Sequence, residues 1–146
     1  MGRSNDPARF LEPGEKEQAE AAIQAAEQQT SAEIKLMIVR HCWGSIEQKC
    51  TSLFARHGLH KTAERNCVMV LLATTNREFC IFGDEGIHAK VGQTFWDDVR
   101  DVMAAEFGEG RFGTGLAAGI ERIGDTLAEH FPQRTDDVDE ISNEVG

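Results

Sequence analysis

Residues 65–86 read RNCVMVLLATTNREFCIFGDEG, and this stretch decides the fold. It begins with an apolar run at 67–73 whose hydrophobic residues would lie on both faces of an extended chain. That pattern predicts a central strand covered on each side. A turn-like break around Asn76 follows, and residues 78–82 return as a second strand. The stretch therefore predicts a β-hairpin.

One further strand and four helices are predicted around the hairpin. Residues 33–40 are mostly apolar on both faces, which again indicates a strand inside a covered sheet. Apolar residues with helical spacing predict helices over residues 15–29, 45–58, 93–107 and 114–131. The order α-β-α-β-β-α-α is that of a small α/β domain.

The last predicted helix carries Gly115 and Gly119, four residues apart. In a helix without membrane character, such spacing indicates close backbone approach to a neighbouring element. We therefore expect a neighbouring element to pack directly against these glycines.

The chain has 146 residues, the usual size of one domain. We place that domain at residues 12–131. Residues 1–11 form a loose lead-in, and Pro132 begins an acidic tail, 132–146, without a clear period.

The charge balance restricts the partners. The net charge is −10, from 25 acidic and 15 basic residues. Nucleic acids and anionic membranes both select basic surfaces, so we expect neither as a partner. The excess of acids favours cations, basic partners or simply solubility. A bilayer-spanning run of ~20 apolar residues and a signal-peptide pattern are both lacking, so we expect a cytoplasmic protein without membrane insertion.

The four cysteines show no zinc-binding spacing, since no C-x-x-C pair occurs. Cys67 and Cys80 lie in the apolar strands and Cys50 lies on a helical apolar stripe, so all three are predicted to be packing residues. Cys42 is the one predicted to be exposed.

Three stretches together resemble the TPM-domain family. The helix-to-strand step at 25–40, AAEQQTSAEIKLMIVR, resembles the family's opening. The hairpin at 65–86 is similar to its central strand, tight turn, second strand and closing Gly-x-x-Gly. Residues 107–120, FGEGRFGTGLAAGI, are similar to its helix-end and final-helix signature. The resemblance covers residues 12–131 and departs at Cys67, where the family usually has glycine.

The resemblance implies a three-layer α/β/α sandwich, a small central sheet with helices on both faces. Most family members have no assigned function. Some are linked to acid phosphatase activity, some bind calcium or other divalent ions, and some act in membrane-protein maintenance or receptor assembly. Residues 130–141, HFPQRTDDVDEI, resemble the ending of a bacterial subgroup without the usual membrane anchor. Because one fold hosts such different activities, the function must be argued from the site.

The first candidate site is the acidic loop, residues 83–86. Asp84 and Glu85 lie between two glycines that would let the backbone turn sharply and expose carbonyl oxygens. Loops at strand ends are the usual ligand position in open α/β sheets, and calcium prefers carboxylate and carbonyl oxygens. The alternative is a tight turn with solvated acids. Glu85 matches the family's acidic position more closely than Asp84.

A second acidic group lies on the predicted helix 93–107. Asp97 and Asp101 share a face, and we expect the first turns of this helix to approach the acidic loop. Acids so placed repel each other unless a cation joins them. The helix dipole explains Asp97, whereas Asp101 lies too far along the helix and matches a family acid. The predicted metal ligands are Asp84, Glu85, Asp98 and Asp101.

The favoured hypothesis is a binding module. A divalent cation, calcium above others, would join the acidic loop to Asp98 or Asp101. The ordered surface would then recognise another protein. Whether the protein is an enzyme stays open at this point, as do its oligomeric state and its partner.

Two alternatives use other residues. A metal-dependent hydrolase of phosphate esters would use the same carboxylates, with Lys90 or Arg100 neutralising the phosphate and His88 as acid or base. A metal-free interaction domain would use an exposed apolar patch that includes Trp96 or Phe112.

Overall fold

The computed structural model describes residues 3–133, which form seven elements in the predicted order. The strands are β1 (Ile34–Val39), β2 (Val68–Ala73) and β3 (Glu78–Gly83). The helices are α1 (Pro13–Glu27), α2 (Ile46–Arg56), α3 (Glu85–Gly108) and α4 (Phe112–His130). Within residues 3–133, no helix has both the length and the apolar character needed to cross a membrane.

The sheet has the order β1-β2-β3, with β2 at its centre. β1 pairs with β2 in parallel, and β3 pairs with β2 antiparallel, so that Val68 lies opposite both Ile34 and Gly83. All residues of β2 are buried. This confirms the hairpin and the central strand, which the uninterrupted apolar run required.

Helices cover both faces of the sheet, so the predicted α/β/α sandwich is confirmed. Val68, Val70 and Leu72 point into a first core shared with α1, α3 and α4. Met69 and Leu71 point into a second core shared with α2. Alternate residues of one strand therefore supply both cores, as expected from the pleat.

The glycines of α4 set its distance from α3. A methyl group built on Gly115 would lie 2.6 Å from the ring of Phe107, and one on Gly119 would lie 2.4 Å from Met103. No real side chain tolerates such contacts without a shift of its neighbours. The predicted close approach at this pair of glycines is confirmed, and the neighbour is α3.

The N-terminal segment packs against the first core. Phe10 is 2% exposed and Leu11 is 8% exposed. Arg3 forms an ion pair with Glu15 in the first turn of α1 and also donates to the carbonyl of Phe10. No periodic pattern of apolar residues in this segment predicted the packing. Most of the acidic tail, from residue 134, lies outside the described residues.

The predicted acidic loop is wrong as a structural element. Asp84 is the N-cap of α3 and Glu85 is its first residue, so the chain passes from β3 straight into a helix. Gly92 interrupts this helix with a φ of 77°, and the predicted helix at 93–107 is the part beyond the break. The helical segment 85–91 escaped prediction because three glycines in ten residues resemble a loop.

Two predictions of exposure are also wrong. Cys42 is 4% exposed and Trp96 is 5% exposed, because both pack into the cores. Phe112 is partly buried and packs against the rings of Phe10 and Phe107. Among the described residues, the large apolar side chain that is exposed is Trp43, at 85%.

Candidate functional site

The backbone at the start of β2 lies beside the backbone at the end of β3. The amide of Asp84 donates to the carbonyl of Cys67 at 3.0 Å, and the amide of Gly86 donates to the carbonyl of Arg65 at 2.8 Å. These bonds continue the backbone contact between the two chain segments beyond the last strand pair, Val68 and Gly83, as far as Arg65 and Gly86. They place the side chain of Arg65 next to the first turn of α3.

Arg65 and Asp84 form a bidentate ion pair. The guanidinium Nε donates to Oδ2 at 2.7 Å and Nη2 donates to Oδ1 at 2.9 Å. The carboxylate also accepts from the amide of Glu85 at 2.8 Å, which caps α3. The Asp84 side chain is only 4% exposed, whereas that of Arg65 is 39% exposed. The hydrogen bonds to Asp84 raise the pKa of Arg65, so its positive charge is permanent.

Glu85 binds the same guanidinium. Nη1 of Arg65 donates to Oε2 of Glu85 at 3.1 Å, and the Glu85 side chain is 72% exposed. Two carboxylates thus converge on one cation at the protein surface. The backbone of Arg65 has a φ of 52°, in the left-handed region that non-glycine residues rarely adopt. Such conformations cluster at functional sites, where surrounding contacts hold them in place.

The two glycines of the sequence motif serve close packing. A methyl group on Gly83 would lie 2.2 Å from the indole of Trp96. One on Gly86 would lie 1.9 Å from the carbonyl oxygen of Glu64. Neither glycine has a positive φ. Because these glycines have no side chain, Trp96 and the backbone before Asn66 can approach the β3–α3 junction. The sharp turn that the sequence predicted at the two glycines does not occur.

A surface pocket of about 420 Å³ opens at this junction. Gly92 breaks α3, and in the second half of the helix Trp96 packs its indole against Gly83 at the end of β3 and lines the pocket. The indole Nε1 of Trp96 donates to Nδ1 of His88 at 3.0 Å. The polar side chains that line the pocket are Arg65, Asp84, Glu85, His88 and Gln93.

The four predicted ligands do not come together in one place. Asp84 and Glu85 share Arg65, whereas Asp98 and Asp101 are exposed on the second half of α3 and do not line the pocket. Asp97 accepts from Gln93 at 3.0 Å and pairs with Arg100. Among residues 3–133, no three His, Cys, Asp or Glu side chains form a group that could hold a metal ion.

Of the four predicted metal ligands, Asp84 and Glu85 are therefore the two that lie close enough together to bind one ion. Carboxylate oxygens suit a hard cation such as calcium, which takes six to eight oxygen ligands. In this structure both oxygens of Asp84 already bind the guanidinium of Arg65. A cation would have to displace Arg65 and complete its coordination with backbone oxygens and water.

Arg65 is the site residue that the sequence reasoning missed. In the sequence Arg65 stands at the start of the hairpin stretch, 19 residues before Asp84, and no local motif links the two. The hairpin itself carried the signal, since antiparallel pairing that ends at Val68 and Gly83 must bring Arg65 near Asp84. A basic residue that the hairpin register places opposite an acid at a strand end can therefore be used to predict an ion pair from the sequence.

Comparison with known proteins settles the family. The family described as the TPM domain matches residues 4–126 of the chain. The chain belongs to the TPM-domain family. The match includes Arg65, Asp84, Glu85 and the whole of α3, so the candidate site lies inside the matched region.

Two solved structures are similar to this TPM domain. The BA42 protein from the psychrophilic bacterium Bizionia argentinensis, determined by NMR, is 31% identical with a TM-score of 0.83, over 98% of this chain and 99% of that one. The N-terminal domain of a protein from P. gingivalis is 15% identical with a TM-score of 0.66, over 88% of this chain and 82% of that one. The second likeness shows the fold alone. No curated protein matches the sequence.

Proposed function

We propose that this TPM domain is a binding module that takes up a divalent cation, calcium in the first instance, at Asp84 and Glu85. The cation competes with Arg65 for the two carboxylates. Once it has bound, Arg65 is released to the surface of the pocket. The altered surface then recognises another protein.

The observation that carries the proposal is the convergence of two carboxylates on one guanidinium. Arg65 neutralises a pair of acids that would otherwise repel each other at the pocket wall. Arg65 is 39% exposed, so its side chain can swing into water without crossing the core. The arginine thus occupies the place of a cation and is the group that a bound ion would replace.

The competition sets the expected affinity. Asp84 must lose two charge-assisted hydrogen bonds before it can bind an ion, and these are the stronger class of hydrogen bond. The carboxylates are also fewer than in a high-affinity calcium site. We therefore expect a dissociation constant of about 10⁻⁴–10⁻³ M, the range of extracellular calcium modules.

The hydrolase alternative receives less support from the geometry. Lys90 places its ammonium 6.0 Å from the ring centre of Phe131, and Arg100 pairs with Asp97. Neither of these residues lines the pocket beside Asp84. His88 does line it, but the bases proposed to neutralise a phosphate are placed elsewhere, so cation binding is the better account of the site.

A calorimetric calcium titration of chelator-treated protein tests the proposal. Wild type should bind in the range given above. Asp84→Asn should abolish binding, because the amide keeps the size of the side chain but removes its charge. Arg65→Ala should tighten binding roughly tenfold, since the competing charge is gone.

Asp101→Asn is the matched control, because it removes one aspartate charge outside the pocket. It should bind calcium like wild type. If Asp101→Asn loses binding and Arg65→Ala does not tighten it, then the competition proposed here is wrong and the four-carboxylate arrangement predicted from the sequence is favoured. A phosphate-ester assay on the same samples tests the hydrolase directly.

A further inference from the structure

A second pocket, which we call the hairpin-end pocket, has a volume of about 600 Å³ and lies where the β2–β3 hairpin turns. The end of β2 at Ala73 and the start of β3 at Glu78 both line it. β2 runs parallel to β1, and ligands of open α/β sheets usually bind outside the carboxyl ends of parallel strands. The Arg65–Asp84 pair stands at the opposite ends of β2 and β3, so binding in this pocket does not depend on the proposed cation site.

Four phenylalanines form what we call the aromatic wall of the hairpin-end pocket: Phe10, Phe79, Phe107 and Phe112. Adjacent ring centres lie 4.8–4.9 Å apart, so the rings form one continuous surface. All but Phe10 are partly buried, which leaves parts of their rings open to a ligand. Small-molecule sites are typically about 300–1,000 Å³ in volume, with apolar and aromatic walls and a few polar groups. The hairpin-end pocket has this size and composition.

Two arginines line the hairpin-end pocket, and the first of them, Arg3, is engaged within the fold. Its guanidinium forms a bidentate ion pair with Glu15. It also donates to the carbonyl oxygens of Phe10 and Gly110. The guanidinium carbon lies 4.5 Å from the centre of the Phe112 ring. Arg3 is therefore part of the pocket wall, and Glu15 balances its charge.

The second arginine, Arg77, lacks such a counter-charge. Within residues 3–133 no carboxylate lies within 4.0 Å of its guanidinium, and its one hydrogen bond runs from Nη2 to Oδ1 of Asn5 at 3.5 Å. The guanidinium carbon lies 5.1 Å from the centre of the Phe10 ring, which places the charge beside the aromatic wall. The backbone of Arg77 has a φ of 55°, a conformation that tends to occur at functional sites. The other N–H groups of this guanidinium are available to an anion.

The charge of Arg77 and the aromatic wall together define a class of ligand. Arginine presents its N–H donors in a planar fork that matches a carboxylate, and aromatic walls favour an aromatic body. Glu78, also at the pocket, forms no ion pair with any residue in the described part of the chain, so it would repel a second negative charge on the ligand. We propose that the hairpin-end pocket binds a small aromatic monocarboxylate. The carboxylate pairs with Arg77, and the ring system packs on the aromatic wall.

The test is a titration of the full chain with 2-naphthoate, followed by NMR of the backbone amides. The amides of Ala73, Phe79 and Gly108 should shift and saturate with a dissociation constant of about 10⁻⁴ M, whereas that of Glu85 at the other end of β3 should not shift. 2-Naphthylmethanol has the same body without the charge and should bind at least about tenfold more weakly. Acetate has the charge without the body and should cause no localised shifts at ~5 mM.

Variants test the two halves of the pocket separately. Arg77→Gln should weaken binding of 2-naphthoate about tenfold, because the carboxylate loses its charged partner. Arg56→Gln is the matched control, since Arg56 is exposed on α2, which covers the other face of the sheet. It should bind 2-naphthoate like wild type. Glu78→Gln should tighten binding about twofold, because a like charge is removed. Ala104 is exposed and lines the pocket, so Ala104→Phe should fill the space and abolish binding while leaving Arg77 in place.

Several results would overturn the proposal. These are the absence of localised shifts at ~5 mM 2-naphthoate, shifts confined to the β3–α3 junction, and equal affinity for the acid and the alcohol. Binding by Arg77→Gln that matches wild type would overturn it as well. The amide spectrum of each variant reports whether it is folded. The comparison of 2-naphthoate with 2-naphthylmethanol on wild type decides the question even if a variant folds poorly.

Discussion

Arg65 binds both carboxylate oxygens of Asp84, at 2.7 and 2.9 Å, and this one pair joins the start of β2 to the start of α3. Asp84 is nearly buried and also caps the helix, so it has a structural role as well as a proposed role in binding. Arg65 is exposed enough to leave. The difference in exposure between the two partners makes the site suitable for exchange of one cation for another.

Because Asp84 is the N-cap of α3 and Glu85 is not, substitution of Asp84 should reduce stability more than substitution of Glu85. Asp84→Ala should reduce the free energy of unfolding by about 1–2 kcal/mol, because α3 loses its N-cap and Arg65 loses its partner. Glu85→Ala, at a side chain that is 72% exposed, should change it by less than about 0.5 kcal/mol. Urea unfolding measures both, and equal losses would contradict the assigned cap.

Gly83→Ala should displace Trp96 from the pocket wall. The added methyl group would lie 2.2 Å from the indole, so the ring must move and its hydrogen bond to His88 must break. We expect a loss of about 1–3 kcal/mol in stability. In a Trp43→Phe background, fluorescence reports Trp96 alone, and acrylamide quenching should increase. Unchanged quenching would show that Trp96 does not depend on this contact.

The contact between α3 and α4 makes Gly119 sensitive. Gly119→Ala would bring a methyl group within 2.4 Å of the buried side chain of Met103, and we expect a loss of about 1–3 kcal/mol. Gly14→Ala is the control, since nothing lies within 4 Å of the added group. It should be neutral or stabilising by up to ~1 kcal/mol in urea unfolding. Equal effects at both positions would contradict the packing described here.

Glu15 predicts a pH dependence. Burial alone would raise the pKa of Glu15, but hydrogen bonds from Arg3 and Glu12 outweigh burial and hold it below the ordinary value of 4.5. A carboxyl group with a lowered pKa stabilises the fold above its unfolded value and loses that effect as pH falls through the folded value. The free energy of unfolding of wild type should therefore exceed that of Glu15→Gln by about 1 kcal/mol at neutral pH.

That difference should shrink as the pH falls below 4.5, because the carboxyl group of Glu15 then takes up its proton. The side-chain oxygen of glutamine can still accept the hydrogen bond from the amide of Glu12. The substitution therefore removes the charge at residue 15 and keeps the capping hydrogen bond. Urea midpoints for both proteins across this pH range provide the measurement. If the difference in free energy of unfolding between the two proteins does not depend on pH, the ion pair with Arg3 is not its cause.

The apolar patterning of the strands made most of the fold predictable. The uninterrupted run that ends at Ala73 could only be a central strand, and helical spacing located α1, α2, α4 and the second half of α3. The first turns of α3 were missed because Gly83 and Gly86 indicate a loop when the chain is considered alone. Their actual requirement is the close approach of Trp96 and of the backbone at Glu64, which only the folded structure shows.

The site was predictable only in part for the same reason. Asp84 and Glu85 stand at the strand end that the sequence indicated, and both line the pocket. Arg65 is paired with them through the hairpin, a long-range relationship that residue spacing does not state. Asp98 and Asp101 were predicted to join them because the helix at 93–107 was expected to bring its first turns close to the acidic loop. The break at Gly92 and the earlier helix start change that geometry.

The central claim is that a divalent cation replaces Arg65 at Asp84. NMR spectroscopy of the Arg65 side-chain Nε–H during a calcium titration tests it most directly. In the free protein this proton is hydrogen-bonded to Asp84 and should be protected from exchange. We predict that its signal shifts towards that of a solvated guanidinium and loses protection as calcium saturates the site, with Asp84→Asn lacking the protected signal from the start. Calcium saturation that leaves the Arg65 signal unchanged, or no response at ~10 mM calcium, would contradict the account.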